Sequence, residues 1–444
     1  MATKPDPGSD ARAAGKRAPR MRAPRRAGIL FIVVVLTWAG VGFWNCVKPM
    51  PAGTHIASLP TRLAESQVDF IDGSLQQDRL VQRGIALVDR AEQMVVVDLC
   101  PLPRVLAEHL LARKRQRPNL KIVVVTDPRS ESYGGTPAGL LSGLESAGVI
   151  VARIDLDRLR DSKPLYTSVW RLGAGWWSDP FDDTPGRMTL MASLRALNDK
   201  GDQRRILVAD DGAGGWTNVI ASAGATGLEI RGHLARDIAS SEMAIAAWST
   251  DDDRLPPPPP AENRSMGTID ARFLTEGAIS TALRDALAVA GNGDSVNIAV
   301  DALGDRQIVD ALLHAAGRGA HMQLLLDPHD PASKAVAAEL LRSSPSNIEV
   351  RWQIPKARLM LIRHRNDLWL DMGSANFTRR DLDDLDLDAN IELRMPVRAA
   401  PARAAVDHFA REWAGAAAYA EHVDESDGTY WRYRIEEATG LAMF

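Results

Sequence analysis

The sequence predicts an α/β protein in which two similar α/β/α halves follow a single apolar helix. Three observations predict this class: a charge-free apolar stretch near the N-terminus, a strand–helix–strand unit that occurs twice, and five consecutive prolines between the two copies. At 444 residues the chain is too long for one small core and suits two domains.

The N-terminus is predicted to be a disordered basic tail followed by a membrane anchor. Residues 1–27 carry eight basic and two acidic side chains with no apolar periodicity. Residues 28–47 carry no charge, and about 20 apolar residues span a bilayer. The basic flank places the N-terminus in the cytoplasm and the main domain outside. A cleaved signal peptide is the alternative, but the long apolar run without a small-x-small site favours an uncleaved anchor.

Charge and cysteine usage exclude several functions. The tail has a net charge of +6, so with the whole chain at −4 the remainder carries −10. An acidic exterior argues against nucleic acid as a partner. The two cysteines, Cys46 and Cys100, form no disulfide framework, and no Cys/His cluster indicates a metal. We therefore expect no cofactor and no metal site.

The body contains the same unit twice. Each copy is a buried strand, a crossover helix and a second buried strand ending in Asp-Pro, which is typical of a parallel or mixed sheet covered on both faces. In the first copy the three segments are 94–98, 102–117 and 121–127, and in the second they are 296–301, 306–317 and 322–327. The proline run, which stays extended, sets the boundaries of a first domain (48–250), a linker (251–265) and a second domain (266–444).

Each copy ends in a strand hairpin followed by small polar residues. In the second copy, strands at 359–362 and 368–370 lead into Gly373-Ser374-Ala375-Asn376. Glycine lets the backbone approach a ligand closely, and the short polar side chains of Ser374 and Asn376 can hydrogen-bond an oxyanion such as phosphate. The first copy has a matching hairpin that ends at Ser222-Ala223-Gly224.

In these features the chain resembles the phospholipase D superfamily, and in particular its bacterial membrane-associated, cardiolipin-synthase-like members. The segments that carry the resemblance are 133–135, 158–162, 376–380, 383–393 and 431–441. The resemblance implies two pseudo-twofold-related α/β/α domains with one active site between them. It also implies phosphodiester hydrolysis or transfer through a phosphohistidine.

The chain departs from the signature of that family, which is His-x-Lys followed after four residues by Asp, once per half. The first motif falls on Gln203, Arg205 and Asp210, and the second on Lys356, Arg358 and Arg363. Both histidines are absent, and Gly224 stands where the first half would have Asn. His364 and His233 lie nearby in sequence and are each expected at a surface or strand end.

The resemblance therefore implies a phosphate-binding cleft with no intact catalytic residue. We expect it to be formed by Arg205, Lys356, Arg358, Ser374 and Asn376, with Arg363 converging on the same place, because arginine suits phosphate oxygens. Whether the protein is an enzyme stays open. One alternative is an active phosphodiesterase or phosphatidyltransferase with an altered site, and another is a structural envelope protein.

The predicted partners are a membrane phospholipid and, as an alternative, an active phospholipase D-like relative. The predicted location is the bacterial inner membrane, single-pass, with the main domain periplasmic or extracytoplasmic. Residues 170–177 are rich in tryptophan and are interpreted either as a loop at the lipid interface or as packing between domains. The acidic run from Asp381 to Asp388 is interpreted as a solvated segment, with a divalent-cation site as the alternative.

Overall fold

A computed structural model of the protein describes residues 23–51, 64–73, 79–132, 136–173, 198, 200–212, 214–222, 226–250, 255–260, 267, 269–344 and 346–419. The predictions for the tail up to residue 22, for Gly224, for 133–135, for 174–177, for most of the linker and for 431–441 lie outside these residues.

Fifteen strands, twelve α-helices and a short 3₁₀ helix at Leu156–Arg158 make up the regular structure of the described residues. The strands are β1 (Ala64–Ile71), β2 (Met94–Leu99), β3 (Lys121–Thr126), β4 (Ile150–Arg153), β5 (Arg205–Asp210), β6 (Trp216–Ala221), β7 (Gly227–Arg231), β8 (Ile269–Thr275), β9 (Ser295–Val300), β10 (His321–Leu326), β11 (Ile348–Trp352), β12 (Leu359–His364), β13 (Asp367–Gly373), β14 (Ala389–Pro396) and β15 (Ala417–Ala418). The helices are α1 (Ala23–Val47), α2 (Arg79–Arg90), α3 (Arg104–Gln116), α4 (Pro128–Ser132), α5 (Ala138–Ser146), α6 (Pro164–Leu172), α7 (His233–Thr250), α8 (Gly277–Val289), α9 (Arg306–Gly317), α10 (Pro331–Ser343), α11 (Arg379–Leu382) and α12 (Ala400–Gly415).

The strands form one mixed sheet whose order shows the internal duplication. The first half runs β4-β3-β2-β5-β6-β7-β1, and the second runs β11-β10-β9-β12-β13-β14-β8. The first three strands of each series are parallel, and the remaining strands are antiparallel to their neighbours. Strands β1 and β8 pair antiparallel and join the halves into a continuous sheet. The predicted α/β fold with two matching halves is confirmed.

Continuous apolar strands are buried on both faces, as the sequence pattern predicts. Val95, Val96 and Val97 in β2 are all inaccessible, as are Ile298 and Val300 in β9. Helices cover both sides, so every side chain of these central strands meets protein. This packing fixes the positions of the strand ends, where the polar residues of the candidate site lie.

Helix α1 is long and apolar enough to cross a membrane. Its segment Gly28–Val47 has 20 residues with a mean hydropathy of 2.0. The side chains of this segment are mostly exposed, and the one described helix packed along it is α6.

Candidate functional site

The two predicted arginines lie at equivalent places at the carboxyl edge of the sheet. Arg205 opens β5 and pairs with Leu99, the last residue of β2. Arg358 immediately precedes β12, whose first residue pairs with Ala299 near the end of β9. Ligands of open α/β sheets bind outside the carboxyl ends of parallel strands. The fold therefore brings the motif arginines of both halves to the edge where a ligand is expected.

Ser222 joins the two hairpins at this edge. Its hydroxyl accepts a hydrogen bond from the Arg358 backbone N–H at 2.7 Å and donates one to the Gly373 carbonyl at 2.7 Å. Its own carbonyl accepts from Nη1 of Arg205 at 2.9 Å. One serine thus contacts both arginines, so the two motif positions face a common space.

Arg358 is held in place by an acid. Its Nε and Nη2 each lie 2.7 Å from Oδ2 of Asp301, and its Nη1 donates to the Ser374 carbonyl. Asp301 follows β9 directly, so the ion pair is built from adjacent strand ends. Most of the charge of Arg358 is therefore neutralised within the protein.

Arg205 differs because no carboxylate lies within 4 Å of its guanidinium among the described residues. Burial and then the neighbouring Arg358 lower the pKa of Arg205. Both effects disfavour the positive charge, so a bound anion would relieve them. Arg205 is thus a largely buried cation with no carboxylate at ion-pair distance in the described part of the chain, while Asp301 and Asp388 act on it from further away.

Ser374 and Asn376, the predicted phosphate ligands, have internal partners. The Ser374 hydroxyl donates to Oδ1 of Asp388 at 2.7 Å and accepts from the Ala389 N–H. Oδ1 of Asn376 accepts from the backbone N–H groups of Asp301 and Ala302. Both side chains therefore stabilise the backbone at the strand ends. Nδ2 of Asn376 has no acceptor in the described structure.

Lys356 and Gln203, the residues at the two histidine positions of the family signature, differ in their exposure to solvent. Lys356 is exposed, and its ammonium has no acid within 4 Å in the described ranges, while its backbone N–H donates to Glu412. Gln203 is half-buried, and its backbone N–H donates to the Leu387 carbonyl at 2.9 Å. Lys356 therefore adds a second unpaired cation near Arg358.

The residues at the two Asp positions lie away from this edge. Asp210 ends β5 at the opposite edge, where its carboxylate accepts from the N–H groups of Gln93, Met94 and Gly212. Arg363 is exposed and pairs with Leu368 beside the hairpin turn. It lies five residues from Arg358, or roughly 16 Å along a strand. The prediction that Arg363 converges with the other cations is wrong, because an extended strand carries it away from them.

Among the described residues, no histidine hydrogen-bonds Arg205 or Arg358. His364, which binds Asp294, and His233, which opens α7, lie at the opposite edge of the sheet. His408 contacts Glu412 beside Lys356 but is fully buried. His329, which sequence reasoning did not select, is exposed at the carboxyl edge and hydrogen-bonds Asp327 at 2.8 Å. It follows β10, and β9 separates β10 from β12.

A buried ionic network lies behind the site and ties the halves together. Arg204 is fully buried; its Nη1 donates to Glu242 at 2.9 Å and its Nη2 to Glu276 at 2.6 Å. Glu242 belongs to the first half and Glu276 to the second. Sequence reasoning missed this tie, although side chains alternate between the two sides of an extended chain. That alternation turns Arg204 away from the space that Arg205 faces.

Three acids of the run, Asp381, Asp386 and Asp388, are buried, so the prediction of a solvated segment is wrong for them, whereas Asp383 and Asp384 are half-buried. Asp381, Asp386 and Asp388 place carboxylate oxygens within 4.8 Å of one another. Nε of Arg380 lies 3.2 Å from Oδ1 of Asp381 and 3.1 Å from Oδ2 of Asp386, so a guanidinium supplies the cation. Burial raises the pKa of Asp386 to about 8, and the charge of Arg380 opposes that rise.

A cavity of about 310 Å³ lies beside the C-terminal end of α1. Arg160, Arg284 and Arg379 line it, but Asp384 neutralises Arg160 and Asp383 pairs with Arg379. Its charge is therefore closer to balance than that of the edge formed by Arg205, Arg358 and Lys356, which we take as the candidate site.

The two matching halves and the paired hairpins form a phospholipase D-like α/β fold. A protein-family model described as "Cardiolipin synthase, PLD-like domain" matches residues 283–413, which are therefore a phospholipase D-like domain. The resemblance predicted from the sequence is confirmed.

A solved structure supports the same fold over most of the chain. Phosphatidylserine synthase from Haemophilus influenzae aligns over 84% of this chain and 94% of its own, with a TM-score of 0.53 and 10% identity. The phospholipase D family member Nuc from Salmonella typhimurium aligns over 34% of this chain and 99% of its own, with a TM-score of 0.29 and 16% identity. No protein with a curated description matches the chain significantly.

Proposed function

We propose that this is a membrane-anchored phospholipase D-like protein that binds the phosphate group of an anionic phospholipid between its two halves and does not transfer it. The observation that carries the proposal is Arg205, a largely buried guanidinium without a carboxylate within 4 Å in the described chain, beside Arg358. A phosphodiester would supply the missing negative charge.

The charge and donors of the site suit a phosphodiester. Among the described residues at this edge, Arg205 and Lys356 are the cations without a carboxylate partner, and Arg358 is already balanced by Asp301. Guanidinium groups present several N–H donors in one plane and bind phosphate oxygens in pairs. Nδ2 of Asn376 is a further donor at the same edge. This set can hold a phosphate that carries one negative charge and an ester group.

The absence of transfer follows from the residues at the nucleophile positions. An amide such as Gln203 is neither a nucleophile nor a proton donor for a leaving alcohol, and the exposed Lys356 lacks the burial that activates a lysine as a nucleophile. His408 is fully buried and cannot reach a ligand. Positioning and charge alone do not supply the covalent step.

The contacts of α1 support a retained anchor rather than a cleaved signal peptide. Backbone carbonyls of α1 accept hydrogen bonds from the body at two levels, from Asp161 N–H to Asn45 and from Ser168 Oγ to Trp38. A removed segment has no need for such contacts. The basic tail before α1 favours a cytoplasmic N-terminus and a body on the outer side.

The test is lipid binding by the full-length protein in nanodiscs of phosphatidylcholine, measured as phosphatidylglycerol or cardiolipin is added. We expect Arg205→Gln to weaken binding about tenfold or more, since charge-assisted hydrogen bonds contribute about 1.5–3 kcal/mol. Arg403→Gln, at an exposed position on α12, is the matched control and should bind like the parent. Equal binding by Arg205→Gln would refute the proposal.

The second candidate function is an active phosphodiesterase, and His329 with Asp327 is the observation that favours it. A histidine held by a carboxylate is an arrangement that can act as a general base, and this pair lies at the same edge as Arg358. Phospholipid turnover by the purified protein that is abolished by His329→Ala, or by Lys356→Ala, would replace the binding proposal with this one. Binding without turnover supports the first.

A further inference from the structure

We infer that α6 is itself embedded in the outer leaflet of the membrane, as a half-length helix that re-enters the bilayer alongside α1. The inference rests on the anchor in the proposed function, and it adds a second membrane-inserted element and its partner, the lipid acyl chains. It does not depend on phosphate binding at Arg205.

Helix α6 runs down the outer half of α1 in the opposite direction. Asp161, just before α6, donates its N–H to the Asn45 carbonyl at 3.0 Å, and Ser168, within α6, donates its hydroxyl to the Trp38 carbonyl at 2.7 Å. As the chain advances from 161 to 168, its contacts move seven residues back along α1. The contacts therefore descend by roughly 10 Å along the anchor.

A glycine permits this close approach. A Cβ at Gly42 would lie 2.4 Å from the Pro164 carbonyl oxygen and 2.3 Å from the Ser168 hydroxyl. Small residues at such crossings are the usual way for helices to pack closely in membranes. At Gly40, two residues away, a Cβ would meet nothing within 4 Å, so the constraint belongs to the face that touches α6.

The depth follows from the position of these contacts within the span. Trp38 lies about halfway along the segment Gly28–Val47, and a hydrocarbon core is about 30 Å thick. The Trp38 carbonyl points toward Gly42, whose Cβ position lies 2.3 Å from the Ser168 hydroxyl, so Ser168 lies within the outer half of the span. Helix α6 has nine residues, or about 13 Å of length, which suits one leaflet.

The outward face of α6 is apolar and uncovered. Leu165, Val169 and Leu172 are 65%, 56% and 45% exposed, and their i, i+4, i+7 spacing puts them on one stripe. The polar residues Thr167 and Ser168 are buried on the inner side. Because α6 packs along α1, whose side chains are also apolar and mostly exposed, we infer that the partner of this stripe is the lipid acyl chains.

Arg171 is the one charged residue of α6, and its guanidinium lies toward the membrane surface. Nε of Arg171 donates to Asp161 at 3.1 Å and its Nη2 to the Asp157 carbonyl at 3.2 Å. Helical side chains point toward the helix N-terminus, which here lies at the membrane surface. Lys48, just beyond α1, also donates to the Asp157 carbonyl, so these polar groups mark the headgroup level.

The experiment uses the full-length protein in nanodiscs with single added cysteines and a membrane-impermeant maleimide. The added cysteines are Leu165→Cys and Val169→Cys in α6, Val35→Cys in α1 and Val105→Cys, which is 60% exposed on α3. Labelling is measured above the background of the native Cys46 and Cys100. We expect the α6 sites to react at least about tenfold more slowly than Val105→Cys, since hydrocarbon excludes the reagent.

Two contrary outcomes are distinguishable. If the α6 sites react as fast as Val105→Cys while Val35→Cys stays protected, the inference is wrong and the anchor stands. If Val35→Cys also reacts fast, the anchor itself is refuted. A second readout, quenching of a bimane attached at Val169→Cys by lipids brominated in the acyl chain, must be stronger than at Val105→Cys. Equal quenching at the two sites contradicts the inference.

Discussion

The hydroxyl of Ser222 donates a hydrogen bond to the Gly373 carbonyl, 2.7 Å away and 151 residues later in the chain. In the sheet, β6 and β13 are separated by five strand spacings, or roughly 24 Å if the sheet were flat. The sheet must therefore curl until the ends of these strands meet. This contact closes the two halves around the edge that carries Arg205 and Arg358.

Replacing this serine tests the closure. We expect Ser222→Ala to lower the free energy of unfolding by about 1–3 kcal/mol, because the buried Gly373 carbonyl and Arg358 N–H both lose a partner. Chemical denaturation monitored by tryptophan fluorescence measures it. Ser146→Ala, at an exposed hydroxyl, is the control and should change stability little. Equal stability of the two variants would show that the contact contributes nothing.

The ion pairs of Arg204 with Glu242 and Glu276 predict a larger loss of stability than the one expected for Ser222→Ala. Arg204→Met leaves Glu242 and Glu276 buried without their cation, and breaking one side of a buried ion pair costs about 3–5 kcal/mol. We expect incomplete folding or a thermal midpoint many degrees lower, measured by circular dichroism. Arg204→Lys, which keeps the charge, should recover part of the loss. A thermal midpoint of Arg204→Met equal to that of the parent would show that Arg204 does not hold the two halves together.

Buried carboxyl groups behind the site predict a pH dependence. Burial raises the pKa of Asp202 to about 7, and burial together with Asp202 raises that of Asp98. Unfolded aspartate titrates near 3.8, so the folded state retains protons that the unfolded state has lost. This contribution is fully present below pH 3.8 and is lost as the pH rises through about 7.

The variant Asp98→Asn removes one of these acids. We expect it to stabilise the protein relative to the parent by about 1 kcal/mol more at pH 8 than at pH 5, because a tenfold difference in proton affinity between the folded and unfolded states corresponds to about 1.4 kcal/mol. Thermal unfolding at both pH values measures this difference. Asp367→Asn, at the exposed first residue of β13, is the control. A stability difference independent of pH would mean that Asp98 is ionised in the folded state.

The crossing of α1 and α6 provides a matched pair of variants. Gly42→Leu forces a side chain into the Pro164 carbonyl and should destabilise the protein by about 1–3 kcal/mol, whereas Gly40→Leu meets open space. Both add the same apolar group to α1, so membrane insertion is equally favoured. Thermal unfolding in nanodiscs compares them. Indistinguishable midpoints would show that the crossing is loose.

Several features of the site could be predicted because they are local in the sequence. Strand periodicity located the hairpins, and motif spacing selected Arg205, Arg358 and Lys356, which the fold brings to the carboxyl edge of the sheet. Spacing failed for Arg363, since a fixed interval along an extended strand moves a residue away from the strand end. Ser374 and Asn376 were selected because their side chains could donate hydrogen bonds to phosphate. In the structure the Ser374 hydroxyl donates to Asp388, and the Asn376 side-chain oxygen accepts from the Asp301 N–H.

The sequence by itself determined the two matching α/β halves and the apolar segment long enough for a membrane, because periodicity and length are properties of short segments. Only the tertiary structure decided that Ser222 closes the site, that Asp301 neutralises Arg358 while Arg205 has no such acid within 4 Å in the described chain, and that three acids of the acidic run are buried around Arg380. The packing of α6 along α1 is likewise visible only in the tertiary structure. These relationships join residues far apart in the chain, and they depend on the curl and pairing of the whole sheet.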